Sequence, residues 1–289
     1  MSPEFEFLQT TETRFSLPKD TAPVICRFGL CTDSHFAEKE PLDDKQYADA
    51  LLKMEEFVKT ANSLSLDFVI HLGDFKDEDP EPRTERTLDY LRRMEEVFSG
   101  YRGRRFHCLG NHDLDSITKA QFLAQVENSG LENDRGYYSF VLNSLRFLVL
   151  DANFDANGRD HFFREGGDWQ DPVMPPEEIE WLEAELASSE HPCLIFCHHP
   201  LFAYVKNGHS YHVSNYPEVR KVLESSGKVL AVFNGHMHEE MFHEINGILY
   251  MAMNSMLEGT FVQRNCFYVV EIAAAELRVE RFGRVNPYL

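Results

Sequence analysis

Five short apolar segments of the chain, each typical of a buried strand, end in residues that can bind a metal ion. The apolar segments are residues 28–31, 68–72, 106–109, 193–197 and 229–233. The polar residues that follow them are Asp33-Ser34-His35, Gly73-Asp74, Gly110-Asn111-His112-Asp113, His198-His199-Pro200 and Gly235-His236-Met237-His238. Helical patterns separate most of the segments, which predicts parallel strands joined by crossover connections. Because ligands collect beyond the carboxyl ends of such strands, we expect the five polar groups to meet at one edge of one sheet.

The segments between these strands carry apolar residues at helical spacing, which is typical of helices that pack on a core. We predict helices over residues 43–64, 83–99, 117–126, 176–187 and 217–224. Hairpins are predicted for residues 136–142 with 145–150, across Asn246-Gly247, and for residues 267–272 with 277–282. This mixture of parallel units and hairpins predicts an α/β fold of two packed mixed sheets with helices outside.

The predicted organisation is a single domain over residues 1–289. Residues 1–22 lack clear periodicity and are predicted to form an arm or an edge segment. Residues 239–289 are predicted to form hairpins that complete the second sheet. Two irregular stretches rich in polar and aromatic residues, 152–175 and 202–216, are predicted to border the substrate site, because long loops at the functional edge of a sheet often do so.

Composition limits the choice of partners. The formal net charge of −20 at pH 7 argues against a basic surface for extended nucleic acid or for an anionic membrane. No apolar run is long enough to span a bilayer, and the N-terminus does not resemble a secretory signal. The six cysteines mostly lie in apolar strand-like segments without a C-x-x-C pair, which indicates reduced core residues. We therefore predict a cytoplasmic protein that acts on a small molecule.

Two pairs of metal-binding residues have the same spacing. Asp33 and His35 are two positions apart, as are His236 and His238, so on extended backbone each pair would project to one side. His198 and His199 would project to opposite sides, so at most one of them can face a metal ion. His71 and His107 also lie near strand ends, and we interpret them as structural.

Five blocks of the chain resemble, in the same order, the motifs of the calcineurin-like metallophosphoesterase family. They are Asp33-x-His35, Gly73-Asp74-x-x-Asp77, Gly110-Asn111-His112-Asp113, His198 and Gly235-His236-x-His238. Their spacing is most similar to the branch that contains cyclic-nucleotide phosphodiesterases and manganese-dependent ADP-ribose and CDP-alcohol pyrophosphatases. The resemblance implies the four-layer α/β/β/α sandwich of that family, with two mixed sheets flanked by helices.

The resemblance also implies a centre for two divalent metal ions. By the family pattern, the first ion is bound by Asp33, His35 and His238. The second ion is bound by Asn111, His198 and His236, and Asp74 bridges the two; the choice of His198 over His199 depends on this pattern alone. Nitrogen and oxygen ligands without thiolate suit Mn²⁺, Fe²⁺, Zn²⁺ or Co²⁺, and we favour manganese or iron.

Two further residues are predicted to be catalytic. The family pattern implies that His112 stabilises the phosphoryl oxygens or protonates the leaving group. Asp113 would then orient His112, although a helix-capping role for Asp113 is an alternative from the residue pattern. Asp77 is predicted to support the metal ligands or to lie in a solvated loop.

The predicted activity is hydrolysis of phosphodiesters or nucleotide pyrophosphates by in-line attack of a hydroxide that bridges two metal ions. Two divalent ions carry more positive charge than the carboxylates of Asp33 and Asp74 and one hydroxide carry negative charge. The remaining positive charge attracts a phosphate. The alternative is a phosphomonoesterase that acts on small phosphorylated metabolites. A metal-binding scaffold without catalysis would predict gaps in the ligand set, and the sequence has none.

Overall fold

The structure, a computed structural model, describes residues 9–17, 26–132, 134–161, 169–273 and 275–285. These residues form 14 strands and five α-helices. The strands are β1 (Gln9–Ser16), β2 (Cys26–Cys31), β3 (Phe68–His71), β4 (Arg104–His107), β5 (Tyr138–Leu142), β6 (Leu145–Leu150), β7 (Cys193–Cys197), β8 (Val205–Lys206), β9 (His209–Ser210), β10 (Val229–Asn234), β11 (Met241–Ile245), β12 (Ile248–Ala252), β13 (Arg264–Ala273) and β14 (Glu276–Val285). The helices are α1 (Ala50–Ser63), α2 (Thr84–Phe98), α3 (Lys119–Leu123), α4 (Pro176–Ser188) and α5 (Tyr216–Ser226).

Twelve of these strands form two six-stranded mixed sheets. The first sheet has the order β1-β14-β13-β2-β3-β4, and the second has the order β11-β12-β10-β7-β6-β5. In the first sheet β2, β3 and β4 are parallel, and in the second sheet β6, β7, β10 and β12 are parallel. Antiparallel strands complete both sheets. The predicted parallel core with antiparallel additions is therefore confirmed.

The two sheets pack face to face through aromatic side chains. Phe28 of β2 stacks on Phe68 of β3 at a ring-centroid distance of 4.9 Å. It also makes edge contacts with Phe147, Phe196 and Phe233 of the second sheet, at 5.7–5.9 Å. Edge-to-face contacts of this kind add to the apolar area that the rings bury. The core between the sheets therefore holds the two sheets at a defined distance.

Helices cover the outer faces of both sheets. On the first sheet, Phe57 of α1 packs against Phe267 of β13, with 5.3 Å between the ring centroids. On the second sheet, Leu182 of α4 and Leu223 of α5 are buried against strand residues that include Ile195 of β7. Alternate side chains of each strand thus face a helix layer and the central core. The predicted four-layer α/β/β/α sandwich is confirmed.

The prediction that the five polar groups lie at one edge of one sheet is wrong. The strands β2, β3 and β4 precede three of the groups and belong to the first sheet, whereas β7 and β10 precede the other two and belong to the second. The groups still meet, because the packing of the sheets brings the residues after β7 and β10 against those after β2 and β3. For example, the His236 backbone N–H donates to the Asp33 carboxylate at 3.1 Å.

The C-terminal hairpins also differ from the prediction. The hairpin of β11 and β12 joins the second sheet as expected, but the hairpin of β13 and β14 inserts into the first sheet between β2 and β1. Residues 1–8 and 18–25 lie outside the described residues, and residues 9–16 of the predicted arm form the edge strand β1. Since the first sheet joins strands from both ends of the described chain, we retain a single domain as a proposal.

The helices mostly agree with the sequence pattern, with one clear exception. The first helix was predicted to begin at residue 43 but begins at Ala50. Residues 42–49 instead pair with each other and with a later loop, through bridges of Lys45 to Leu42 and to Glu258. The six cysteines are buried and free of disulfides, as predicted. Within the described residues, no helix combines the length and the apolar character needed to cross a membrane.

Candidate metal centre

Five of the seven residues predicted to bind metal have a left-handed backbone conformation after the strand ends, whereas Asn111 is right-handed. The φ angles are 53° for Asp33, 49° for His35, 54° for Asp74, 68° for His236 and 57° for His238. This conformation is unfavourable for residues other than glycine, so the surrounding structure must enforce it. The extended backbone that we expected for the two spaced pairs is therefore wrong; sharp local turns aim their side chains instead.

Two glycines in the motifs are required by contacts within the protein. A Cβ atom on Gly110 would collide with the backbone nitrogen and the carboxylate of Asp74. A Cβ atom on Gly235 would collide with the Thr32 hydroxyl and approach the Asp33 carboxylate. These glycines therefore let the turns after β4 and β10 pack directly against the carboxylates, in agreement with the known use of glycine at close backbone approaches.

The first cluster contains Asp33, His35 and His238, whose candidate ligand atoms all lie within 4.8 Å of one another. The Asp33 Oδ1 atom lies 3.3 Å from His238 Nε2 and 3.8 Å from His35 Nε2. On the far side of the rings, His238 Nδ1 contacts a Glu258 carboxylate oxygen at 2.6 Å, and His35 Nδ1 contacts Asp77 Oδ2 at 3.3 Å. A carboxylate can only accept, so both Nδ1 atoms donate and both Nε2 atoms face Asp33.

The second cluster contains His198 and His236, whose ring centroids lie 5.0 Å apart, and Asn111 lines the same pocket as His236. His198 Nε2 lies 3.2 Å from Asp74 Oδ2, and its Nδ1 donates to the Leu72 carbonyl at 2.8 Å. The same Asp74 oxygen lies 3.4 Å from His35 Nε2 of the first cluster. Asp74 therefore lies between the two clusters.

Several ligand atoms in these clusters are buried without a hydrogen-bond partner among the described residues. They are His35 Nε2, Asn111 Oδ1, His198 Nε2 and His236 Nε2. Buried polar atoms are nearly always paired, so a group of four in one place needs an explanation. Bound cations, one in each cluster, would satisfy all four. The residues present therefore fit the pair of metal ions that the resemblance implies.

The charges of the two buried carboxylates point to the same conclusion. Burial opposes the charge of Asp33 and Asp74, but neighbouring histidines outweigh it and hold the pKa of each carboxyl well below its usual range. Burial likewise opposes protonation of His198 and His238. Asp74 nevertheless raises the pKa of His198 to about 9, and Asp33 raises that of His238 to about 10. Without a metal ion, protons on the histidines thus balance the carboxylates.

His199 does not replace His198 in this arrangement. Its side chain is fully buried, and neither ring nitrogen has a hydrogen-bond partner among the described residues. The His199 ring lies 4.6 Å from the His236 ring, whereas His198 is the residue that reaches Asp74. The prediction that at most one of the two adjacent histidines can face a metal ion is therefore wrong, because both follow the end of β7 and ligand atoms of His198, His199 and His236 all lie within 4.8 Å of one another. His198 differs from His199 in its contact with Asp74.

His71 and His107, interpreted as structural from the sequence, make buried contacts away from the two carboxylates. His71 Nε2 lies 2.9 Å from the Ser34 hydroxyl, which fixes the turn between Asp33 and His35. His107 Nε2 pairs with the Glu95 carboxylate of α2 at 2.9 Å.

Asp113 does not orient His112, and the predicted catalytic role for Asp113 is wrong in this respect. Its carboxylate accepts four backbone N–H groups, three at 2.9 Å and one at 3.4 Å, from Gly110, Asp74, Phe75 and Lys76. Burial, with the charge of Asp74, raises the pKa of Asp113 to about 6. Asp113 therefore fastens the turn after β4 to the turn after β3.

The partner of His112 is Asp115, which sequence reasoning missed. Asp115 Oδ2 lies 2.9 Å from His112 Nδ1, and Asp77 Oδ1 is more distant at 4.0 Å. Burial opposes protonation of His112, but Asp115 and Asp74 raise its pKa to about 10. The signal that could have revealed Asp115 is its i,i+3 spacing, since His112–Leu114 forms a 3₁₀ turn that brings such positions together.

The clusters line a pocket of about 450 Å³. Besides the metal-centre residues, its walls include Lys45, Trp169, Lys206 and Tyr211. Trp169 comes from the predicted loop 152–175, of which residues 162–168 lie outside the described residues. Lys206 and Tyr211 come from the predicted loop 202–216, which contains the small hairpin of β8 and β9. Both predicted loops thus contribute side chains to this pocket.

The different contacts of Asp113 and Asp115 lead to a prediction. Asp113→Ala leaves buried N–H groups unpaired and should lower the free energy of unfolding by about 1–3 kcal/mol or more. Asp115→Asn removes a negative charge beside His112 and should lower the pKa of that imidazole in the metal-free protein. Urea unfolding and an NMR titration of His112 measure the two effects. A His112 pKa that responds to Asp113→Ala but not to Asp115→Asn would contradict the assignment.

Curated relatives of the chain share much of its length at low identity. A protein of Xenopus laevis named manganese-dependent ADP-ribose/CDP-alcohol diphosphatase is 22% identical over 295 residues, which cover 80% of this chain and 81% of the relative. A protein of Fibrobacter succinogenes named "Probable cyclic nucleotide phosphodiesterase" is 24% identical over 222 residues, which cover 75% of this chain and 74% of the relative. Among solved structures, a dimetal phosphatase from Danio rerio matches with a TM-score of 0.74 at 20% identity, over 92% of this chain and 98% of that one. This structural likeness bears out the fold.

The calcineurin-like phosphoesterase family provides a match over most of the chain. Its sequence profile matches residues 26–240, which contain every residue from Asp33 to His238 discussed above. The match confirms the predicted family and, with it, the predicted class of enzyme, a metal-dependent phosphoric ester hydrolase. The chain therefore belongs to the calcineurin-like phosphoesterase family.

Proposed function

We propose that the protein uses two divalent metal ions to hydrolyse phosphodiesters or nucleotide pyrophosphates. The observation that carries this proposal is the position of the Asp74 carboxylate. One of its oxygens lies 3.4 Å from His35 Nε2 and 3.2 Å from His198 Nε2, so the same carboxylate contacts one imidazole from each of the two clusters. A carboxylate shared in this way suits a two-metal centre.

The first ion would be held by Asp33, His35 and His238, and the second by Asn111, His198 and His236, with Asp74 binding both. The nitrogen and oxygen donors suit manganese, iron, zinc or cobalt. We favour manganese because relatives are named as manganese-dependent, with iron as the second choice. When bound, two ions supply positive charge that stabilises the attacking and leaving oxygens of an in-line displacement.

His112 would serve as the general acid for the leaving group. It lines the pocket, and in the metal-free protein the carboxylates of Asp115 and Asp74 outweigh burial and raise its pKa to about 10. Asp115 accepts from Nδ1, so the Nε2–H remains free to donate to an oxygen of the substrate. General acid help of this kind is typically worth about 10²–10⁴ in rate.

The pocket walls favour a substrate that carries an aromatic group as well as phosphate. Tyr211 and Trp169 lie 5.3 Å and 5.9 Å from the His236 ring and 5.1 Å from each other, measured between ring centroids. Lys45 and Lys206 bring positive charge to the same pocket, although Lys206 also pairs with Glu239. We infer a small nucleotide-like substrate whose base contacts the two aromatic residues.

The activity is tested on protein reconstituted with Mn²⁺. We expect turnover of bis-p-nitrophenyl phosphate and of ADP-ribose or a CDP-alcohol to exceed turnover of p-nitrophenyl phosphate. Preference for the monoester with negligible diester and pyrophosphate turnover would instead favour the phosphomonoesterase alternative. Absorbance and chromatography measure the rate of product release from each substrate.

Two variants serve as controls for this experiment. Asp74→Asn weakens a ligand that both clusters share, so it should lose activity together with at least one bound ion. His112→Ala should retain both ions, counted by elemental analysis, and lose most of kcat. Full kcat in His112→Ala would exclude it as the general acid.

Metal binding should release protons. At pH 7 the raised pKa values of His198 and His238 keep both imidazoles protonated in the metal-free protein, whereas a metal ligand must be neutral. Each ion should therefore displace about one proton, and its apparent affinity should rise roughly tenfold per pH unit until the pH approaches the pKa of that histidine, about 9 for His198 and about 10 for His238. Calorimetry of Mn²⁺ binding in two buffers with different ionisation enthalpies measures the proton number. Binding heats that are independent of the buffer would contradict this prediction.

Base recognition by Trp169 and Tyr211 is tested through fluorescence. The chain has two tryptophans, so in a Trp181→Phe background the tryptophan fluorescence comes from Trp169 alone. AMP should quench Trp169 at lower concentrations than ribose 5-phosphate, which lacks the base. Tyr211→Ala should weaken AMP binding by about 5- to 150-fold, the equivalent of one stacked base, and Tyr211→Phe should retain it. Equal affinity for the two ligands would refute the aromatic contact.

A further inference from the structure

The ammonium group of Lys53 lies in a cage of backbone carbonyl oxygens. Lys53 belongs to α1 and its side chain is fully buried. Its Nζ atom lies 2.6–3.3 Å from the carbonyl oxygens of four consecutive residues, Met256, Leu257, Glu258 and Gly259. Burial lowers the pKa of Lys53 to about 8, so the group still carries its charge at pH 7. Among the described residues, no carboxylate oxygen lies within 4.0 Å of it.

An ammonium group in this position needs an explanation. Burying a charge is costly, and an apolar side chain of similar length would fill the same space without that cost. Four successive carbonyl groups that point toward one place repel each other, and the ammonium group offsets this repulsion. Lys53 therefore stabilises a loop conformation that this part of the chain would not otherwise favour.

The loop that Lys53 contacts carries Glu258, which hydrogen-bonds to the predicted metal ligand His238. The Glu258 side chain leaves the loop toward the pocket, where its carboxylate accepts from His238 Nδ1 at 2.6 Å. This contact fixes the ring orientation of His238 and leaves its Nε2 facing Asp33 at 3.3 Å. The position of Glu258 thus decides whether His238 is ready to bind an ion.

Other contacts also hold the loop, and Lys53 differs from them in that it contacts its four successive carbonyls together. Before it, the Met256 N–H donates to the Thr32 carbonyl at 3.0 Å. After it, the Phe261 N–H donates to the Asp49 carboxylate at 2.6 Å. In between, the Gln46 N–H donates to the Leu257 carbonyl, the Gly259 N–H donates to the Asp44 carbonyl, and Glu258 forms a bridge with Lys45. Among the described residues, Lys53 is the one whose side chain contacts all four carbonyls.

We propose that Lys53 is a positioning residue for the first metal ion, acting through the 256–259 loop and Glu258 on His238. This inference rests on the proposed function only in that His238 binds an ion. Lys53 lies outside the pocket and touches no ligand, so its effect should appear in the affinity for one ion rather than in the chemistry.

A second lysine of the chain provides a matched control. Lys228 Nζ lies 2.7–2.9 Å from the carbonyls of Leu186, Ala187 and Ser189, at the end of α4. The chemistry is the same, an ammonium group on several carbonyls, but this loop carries no partner of a metal-binding residue. Lys228→Met should therefore affect stability without affecting metal affinity.

The experiment is a double-mutant cycle with Mn²⁺ affinity as the readout. Free Mn²⁺ is measured by electron paramagnetic resonance during titration of the wild type, Lys53→Met, Glu258→Ala and the double variant. We expect each single variant to weaken one of the two ions by roughly 10- to 100-fold, as loss of a partner of a metal ligand typically does. The double variant should be little weaker than either single variant, because both act on His238 through one path. Glu258→Gln, which keeps an acceptor for Nδ1, should restore part of the affinity.

Each outcome distinguishes this inference from the proposed function. Wild type that binds no Mn²⁺ would overturn the proposed function itself. If the wild type binds two ions, unchanged affinity in Lys53→Met would overturn only the role of Lys53. Additive losses in the double variant would overturn the same role. An equal loss of affinity in Lys228→Met would also overturn it, since general destabilisation would then be the cause. Circular dichroism checks folding, and if Lys53→Met does not fold, Lys53→Gln replaces it in the same cycle under the same criteria.

Discussion

The structure around the pocket depends on two buried carboxylates that need positive charge. Asp33 and Asp74 are almost completely buried, and histidines from both sheets surround them. Two carboxylates in a low-dielectric site are unfavourable unless cations or protons compensate them. In the metal-free protein His198 and His238 supply that compensation as imidazolium groups. The same arrangement that stabilises the apo state therefore prepares the ligands, since divalent ions can replace the protons.

Much of this site could be predicted from the sequence because its ligands follow apolar strands. The strand ends and the resemblance to one family located Asp33, Asp74 and His198 without structural information. The sequence could not assign the strands to sheets, since a buried parallel strand has the same composition in either sheet. It also could not predict the left-handed φ angles at five of the ligands, since these turns depend on contacts between residues far apart in the chain, such as the bond from the Asp33 N–H to the Gly73 carbonyl.

The supporting residues were harder to predict, and the reason is distance along the chain. Glu258 lies 20 positions after His238, and Lys53 meets its loop across more than 200 positions. Neither belongs to a short motif, and each is recognisable only from contacts in the fold. Asp113 was misassigned for a different reason: adjacency to His112 suggested a contact, but its carboxylate turns inward to four backbone N–H groups. Asp115, three positions after His112, makes the contact with His112 that was expected of Asp113.

The net charge of −20 and an anionic substrate are compatible because the pocket is charged differently from the chain as a whole. Most acidic side chains lie elsewhere, and the carboxylates in the pocket are engaged: Asp33 and Asp74 with histidines, and Glu258 with His238. Lys45 and Lys206 line the same pocket, where Lys206 also pairs with Glu239. Local charge near a pocket governs the approach of a substrate over distances of about one Debye length, roughly 8 Å at physiological salt. The lysines in the pocket therefore favour the approach of a phosphate although the net charge of the chain is negative.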